Sequence, residues 1–404
     1  MDRIRRLHGR VRSYAWGSHR ALAELCHRPS PTPEPEAELW FGAHPSAPSA
    51  LWLDDEGVET TPLDAWIARD PAAALGAETA RAFRGELPFL LKVLAVERAL
   101  SIQTHPNAER AARGFERENR EGIALDDPRR RYRDPHAKPE LVCALSRFEA
   151  LCGFRRAERV HESLAPLRAP ALRGVLDALE RGGVATGFRA LLELADDDKR
   201  AIAAEAARSG ARDASPGAEL VRRLAADYPG DVGVLAPLWM HHVALAPGEA
   251  LFLDAGEIHA YLRGVAVELM SSSDNVLRGG LTSKHVDPAE LLANLHFETR
   301  PPEVLHPAPT SRPGSRRYAA ATNAFALEVH DLASGPLARE DGPGTAEIVL
   351  CASGGASVRD ARAGRALPLP RGAAAWIPAC AGAHAIEGAG ELFVARAGGE
   401  ANGA

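Results

Sequence analysis

The chain has 404 residues, 46% apolar and 25% charged, which describes a globular protein long enough to need two or three hydrophobic cores. Its net charge of -6 gives no electrostatic reason to expect nucleic acid or an anionic membrane as partner. No apolar run approaches the roughly 18 residues of a membrane span, and the charged opening Met1-Asp2-Arg3-Ile4-Arg5-Arg6 leads into no signal-peptide core, so a cytoplasmic location is expected.

The first fifty residues carry Tyr14-Ala15-Trp16-Gly17-Ser18 and Glu38-Leu39-Trp40-Phe41-Gly42-Ala43-His44-Pro45-Ser46, separated by a proline-rich turn from Pro29 to Pro35. Alternating apolar residues with frequent Gly and Pro predict short strands, and the aromatics read first as core. Thr61-Pro62 has the form of a helix start with proline at the first helical position, and that helix is expected to stop at Asp70-Pro71. Leu87 to Val96 is a short apolar run bounded by turn signals, hence a buried strand, and Lys92 inside it needs a partner or a purpose. Residues 107 to 119 read as a helix, and the arginine-rich stretch from Asp127 to Arg133 as solvated surface.

From about Arg155 to Leu238 the pattern changes to helical spacing, as in Leu220, Val221, Leu224 and Tyr228. Strand signals return at His242 to Leu245 and Ala250 to Leu253 around a Pro-Gly turn, which suits a β-barrel better than a parallel sheet with crossover helices. A proline-rich connector follows Pro301-Pro302, and Phe325 to Ala395 again alternates short strands with Gly and Pro turns. The fold expected is mainly β with an all-α insertion. Its divisions are a discontinuous β domain over 1–154 and 239–304, a helical insertion over 155–238, and a smaller jelly-roll-like domain over 305–404.

Five cysteines (Cys26, Cys143, Cys152, Cys351 and Cys380) are scattered without C-x-x-C spacing and read as reduced structural residues. Of 48 basic residues only Lys92, Lys138, Lys199 and Lys284 are lysine. Where arginine serves every ordinary surface charge, a retained lysine marks a place that needs a compact, titratable ammonium.

In Ser101-Ile102-Gln103-Thr104-His105-Pro106 an extended backbone sends Gln103 and His105 to one face and Thr104 to the other. Alone, such a pair is most often a polar surface feature. Three further stretches accompany it: Tyr132-Arg133-Asp134-Pro135-His136-Ala137-Lys138-Pro139-Glu140, Glu257-Ile258-His259-Ala260-Tyr261-Leu262, and Glu268-Leu269-Met270 followed by Ser273-Asp274-Asn275-Val276-Leu277-Arg278-Gly279-Gly280-Leu281-Thr282-Ser283-Lys284. Together these stretches, in this order, resemble the type I mannose-6-phosphate isomerases, zinc enzymes of the cupin superfamily.

The resemblance spans roughly residues 10 to 300 and implies a cupin, or jelly-roll, catalytic domain holding one Zn2+ per chain. It implies Gln103, His105, Glu140 and His259 as metal ligands, a nitrogen and oxygen set without thiolate that suits zinc. It places Trp16, Lys92, Ser101, Tyr261 and Asp274 in or near the substrate pocket, with Lys138, Glu268, Arg278 and Lys284 as catalytic candidates. In that reading Lys138 and Glu268 lead for proton transfer, and Arg278 and Lys284 hold substrate charge; Glu268 serving only as a lysine's structural partner stands beside it. His8, His44, His241 and His242 are expected to be structural or surface residues, and His330 and His384 form no second metal site.

The implied activity is metal-dependent interconversion of mannose 6-phosphate and fructose 6-phosphate through an enediol, which needs a base near C1 and C2, an electrophile on their oxygens and a way to open the sugar ring. The expected partner is a small sugar phosphate, with neither nucleic acid nor membrane, and the chain is expected to act as a monomer. One departure stands out: the family commonly reads Asn-His-Lys-Pro-Glu where this chain has His136-Ala137-Lys138-Pro139-Glu140. The histidine lies one position early, so a ring-opening role does not transfer to Ala137. Two competing readings are an iron-dependent cupin oxygenase, against which the glutamine ligand and basic pocket argue, and a sugar-phosphate-binding protein without turnover.

Overall fold

The structure is a computed structural model that describes residues 1–54, 56–210, 215–360 and 366–399. Its organising element is the long strand His259–Ser271, which pairs antiparallel with Phe89–Val96 and Glu140–Ala144 along its second half, and with Phe148–Phe154 and Ile102–Thr104 along its first. The change of partners occurs at a bulge next to Gly264, whose φ is +123° and whose missing Cβ leaves room for the carbonyl of Arg147, 2.6 Å from where that atom would lie. Only glycine fits there, and the resulting bend rolls the sheet toward a barrel.

Strand Phe89–Val96 shows why no alternation is visible in its sequence: every residue is buried. Phe89, Leu91, Val93 and Ala95 face a core shared with Ile348, Trp376 and Phe393 of the C-terminal part, whereas Leu94 and Val96 pack with Val142, Phe148 and Tyr261. Lys92 shares the parity of Leu94 and so points into the barrel.

Between residues 157 and 239 the described residues are mainly helical, with Ala157–Leu164, Leu172–Leu192, Asp196–Gly210, Pro216–Asp227 and Ala236–Trp239 packing Val175, Leu179, Phe188, Leu191, Ile202 and Leu224 into one core. Trp239 and Ile258 extend that core onto the barrel wall. Among the described residues no helix is long and apolar enough to cross a membrane.

The C-terminal strands form a nine-stranded sheet with a four-stranded sheet beside it, but the larger one is completed by Arg5–His8, Ala50–Trp52 and Thr60–Pro62 from the beginning of the chain. We propose the division into 1–154 with 239–304, 155–238 and 305–404 as folding units, with these three N-terminal strands lent to the last. No local signal in residues 5 to 62 tells which sheet they join.

Two local expectations change. Thr60–Pro62 is a strand, Pro62 is the cap of a short helix over Leu63–Ile67, and Asp70 opens a second helix, Pro71–Leu75, by accepting from the Ala73 N–H. The dipeptide Asp70-Pro71 is therefore a start signal as well as a stop. The arginine-rich loop is not simply solvated surface: Arg130 is fully buried against Glu118, and Arg131 bridges Glu118 and Asp287. Arg129, paired with Asp127, and Arg133 keep the expected exposed character.

Candidate active site

Cross-strand register builds the site. Gln103 lies directly opposite His259 on one side and Arg278 on the other, so one lateral row joins Gln103 to two residues each more than 150 positions away in the chain. A second row runs from Glu268 through Lys92 to Trp40, with the Lys92 ammonium 5.0 Å from the centre of the Trp40 ring. Glu140 begins its strand directly after the loop that carries Lys138.

His105, Glu140 and His259 converge: Glu140 Oε1 is 3.3 Å from His105 Nε2, and Oε2 is 3.5 Å from His259 Nε2. All three are buried, and among the described residues they are the one group of three or more histidine, cysteine or acidic side chains arranged to hold a metal ion. Each ring has its Nδ1 against a backbone carbonyl, that of Asn275 at 2.7 Å for His105 and that of Glu257 at 3.1 Å for His259. That contact places the ring proton on Nδ1 and leaves the Nε2 lone pair facing the cluster, the arrangement in which histidine binds metal. Both Nε2 atoms are buried without a hydrogen-bond partner, and Glu140 is held well below the usual carboxylate range because Lys138 and His105 outweigh the effect of burial. The donor set fits a divalent ion. Gln103 is half-buried on the neighbouring strand beside His259, its amide nitrogen 3.4 Å from the Ser101 carbonyl.

A cleft of about 1000 Å³ opens over this cluster, lined by Trp16, Lys92, Ser101, Gln103, Lys138, Glu140, Tyr261, Glu268, Asp274, Arg278 and Lys284. His105 and His259 lie beneath its floor. The structure thus gathers the thirteen residues named as ligand, catalytic or substrate-pocket candidates into one cleft and its base, while Lys199 lies elsewhere, beside Asp196. Lys138 Nζ is 3.1 Å from Glu140 Oε1. Lys92 finds the partners its burial demands, Glu268 at 3.1 Å and Glu38 at 3.8 Å, which push its pKa up against the effect of desolvation. Burial pushes the pKa of Glu268 up, with Lys92 opposing. The Tyr261 hydroxyl is buried toward Glu268 without completing a hydrogen bond, and burial raises its pKa.

Along the cleft wall Arg278 is half-buried and Lys284 exposed; burial and then Arg133 lower the pKa of Arg278, and burial, Arg278 and Arg133 lower that of Lys284. Arg133 lines the same wall. Among the described residues none of these three cations has a carboxylate within ion-pair distance, so the wall presents three uncompensated positive charges. Sequence reasoning left four contributors out. Arg133 sat in a stretch read as surface, His44 was read as a structural or surface residue, and Glu38 and Asn275 carried no role. Asn275 is fully buried: its side chain donates to the Asp134 and His136 carbonyls and accepts from the Arg133 N–H, while its own carbonyl orients His105.

Residues 4–157 match the model of the phosphomannose isomerase type I catalytic domain. The mannose-6-phosphate isomerase of Escherichia coli (strain K12) is 37% identical over 96% of this chain and 98% of its own length. The chain belongs to the type I phosphomannose isomerase family. Mannose-6-phosphate isomerase 1 of Arabidopsis thaliana is 34% identical over 82% of this chain and 80% of its own. A crystal structure of the Salmonella typhimurium family member, bound to fructose 6-phosphate and zinc, superposes with a TM-score of 0.89 at 36% identity, covering 98% of this chain and 99% of that one. The mainly β architecture with its helical region is therefore that of the family.

Proposed function

We propose that this family member interconverts mannose 6-phosphate and fructose 6-phosphate, with zinc held by Gln103, His105, Glu140 and His259. The observation that carries the reading is the pairing, in one cleft, of two orphaned imidazole nitrogens flanking Glu140 with a wall of unpaired cations. A metal centre suits the carbonyl end of a hexose phosphate and the cationic wall suits its dianionic phosphate, which arginine and lysine bind by charge-assisted hydrogen bonds. A divalent ion in this site supplies Lewis acidity to the oxygens at C1 and C2.

The chain's own residues divide the remaining work. Arg278 and Lys284, joined by Arg133, hold the phosphate and fix the substrate along the cleft. Glu268 moves the proton between C2 and C1: burial makes it a better base than a solvated carboxylate, and Lys92 at 3.1 Å keeps it oriented. Lys138, also buried, brings a positive charge beside the oxygens that gain charge in the enediol. Ser101, Tyr261 and Trp16 shape the cleft, with Trp16 stacked on Tyr14 at 5.7 Å to give an apolar platform for a sugar face. Action as a monomer in the cytoplasm belongs to the same proposal, supported for the compartment by Cys26, Cys143, Cys152 and Cys351, which stand as thiols.

The test is a coupled isomerase assay on protein whose metal content has been measured, before and after chelation and on adding zinc back. Interconversion that disappears on chelation and returns with zinc is expected. Zinc-loaded protein that leaves both sugars unchanged refutes the reading.

A further inference from the structure

One short segment of the helical stretch reaches both rims of the cleft. It runs from Asp227, where the helix Pro216–Asp227 ends, through a turn at Gly230 with φ +80°, to Gly233 in the 3-10 turn Val232–Leu235. On one rim the Tyr228 hydroxyl donates to the Ala99 carbonyl at 2.6 Å and Asp227 pairs with Arg98 at 3.0 Å, just ahead of Ser101 in the chain. On the other rim Asp231 accepts twice, at Oδ1 from the Gly233 N–H at 2.7 Å and at Oδ2 from the Thr282 N–H at 3.1 Å. The Thr282 hydroxyl in turn accepts the Lys284 N–H at 3.1 Å. A hydrogen-bonded path therefore leads from Asp231 through Thr282 to Lys284.

The backbone beside that path is held at close range. A Cβ on Gly233 would lie 2.7 Å from the Leu281 nitrogen, and one on Gly280 would lie 2.9 Å from the Gly233 Cα, so the strand end Leu277–Gly280 rests directly on the 3-10 turn. Leu281 then turns through φ +53°, a left-handed conformation that a leucine keeps only where its surroundings impose it. Its side chain is buried in the helical core with Val234 and Leu235, and the N–H that follows it is the one Asp231 holds. Ser283 and Lys284 are exposed, so the placement of the Lys284 ammonium is inherited from this turn.

We propose that Asp231 is a positioning residue for the cationic wall: by fixing the Leu281 turn and Thr282 it holds Lys284 on the same wall as Arg278, and makes the helical stretch a determinant of affinity for the substrate's phosphate. The inference rests on the reading of Arg133, Arg278 and Lys284 as the phosphate site. Asp231 touches no substrate. Tyr228, tied to the opposite rim, keeps the segment in place, so Asp231 steadies the Thr282 loop instead of moving with it.

The test is calorimetric binding of a hexitol 6-phosphate, which carries the phosphate but has no carbonyl to isomerise, to the zinc-loaded full chain. Asp231→Asn keeps the size of the side chain but turns one acceptor into a donor, so one of the two N–H groups loses its partner. Affinity for the hexitol phosphate is expected to fall about five- to tenfold with zinc content unchanged. In the isomerase assay KM is expected to rise by the same factor while kcat stays within about twofold. In a Lys284→Met background Asp231→Asn is expected to cost less than about twofold, because a residue that acts through Lys284 then has nothing to position, whereas a general structural defect costs the same in both backgrounds. Gly233→Ala leaves every side-chain hydrogen bond in place and presses a Cβ onto the Leu281 nitrogen, and it is expected to weaken the phosphate ligand to a similar degree. Affinity within about twofold of the parent in Asp231→Asn, or in Gly233→Ala where Asp231→Asn does not fold, overturns the proposal. An equal loss with and without Lys284 also overturns it, as does a parent chain that does not bind the hexitol phosphate. A parent chain that binds it, with the expected losses in the variants, but makes no fructose 6-phosphate sinks the isomerase reading and leaves the role of Asp231 standing.

Discussion

Removing Lys138 should tighten metal binding, although Lys138 sits at the site. Its ammonium lies 3.1 Å from Glu140 Oε1 with both side chains buried, so in the metal-free protein it is the cation that satisfies the carboxylate. Two unit charges at that separation attract by about 5 kcal/mol at an effective dielectric near 20, and breaking a buried pair typically costs about 3 to 5 kcal/mol. His105 and His259, 3.3 and 3.5 Å from the same carboxylate, absorb part of that loss. A divalent ion compensates Glu140 in the metal-bound state and no longer meets a like charge beside it. Lys138→Met thus destabilises the metal-free state by more than the bound one. With roughly half the pair energy realised, about 1.5 to 3 kcal/mol, zinc affinity rises roughly ten- to hundredfold while isomerase activity falls. Competition for zinc against a chromogenic chelator measures the change. A variant that binds zinc tenfold more weakly than the parent refutes the reasoning, because it makes the ammonium part of the metal's support rather than its competitor.

His259→Ala removes one imidazole from the cluster and is expected to copurify without zinc and without isomerase activity; elemental analysis showing a full complement of metal contradicts the ligand assignment. Arg278→Gln deletes one of three unpaired cations on the cleft wall, and a charge-assisted hydrogen bond contributes about 1.5 to 3 kcal/mol. KM for mannose 6-phosphate is therefore expected to rise at least tenfold and to depend less on salt, with zinc content intact; an unchanged KM places the phosphate elsewhere. Burial pushes the Cys143 thiol, in contact with Tyr318 at 3.0 Å, up to about 12. Native Cys143 should then resist iodoacetamide at pH 9 and react only on unfolding, as read by mass spectrometry. Because the unfolded thiol ionises first, its contribution to stability is complete below the ordinary thiol pKa and declines as pH rises toward 12.

The amino-acid sequence by itself determined the chemistry of the site and most of the secondary structure. The donor atoms of Gln103, His105, Glu140 and His259 are properties of side-chain type and local spacing, and the all-apolar run with one lysine at 92 already required a buried strand with a counter-charge. The helical stretch from 155 to 238 was legible because a 3.6-residue apolar period is a local pattern. What only the tertiary structure decided are relations between distant segments, since register and sheet membership come from packing that no short window contains. It set Gln103 between His259 and Arg278, sent Arg5–His8 and its neighbours to the C-terminal sheet, and buried Arg130 on Glu118 where charge density suggested solvent. It also turned His44 toward Asp274 and made Asn275 the brace behind His105. A polar side chain's role depends on which partner relieves its desolvation, and in this fold such a partner can lie 346 residues away in the chain, as the Leu25 carbonyl does from Arg371.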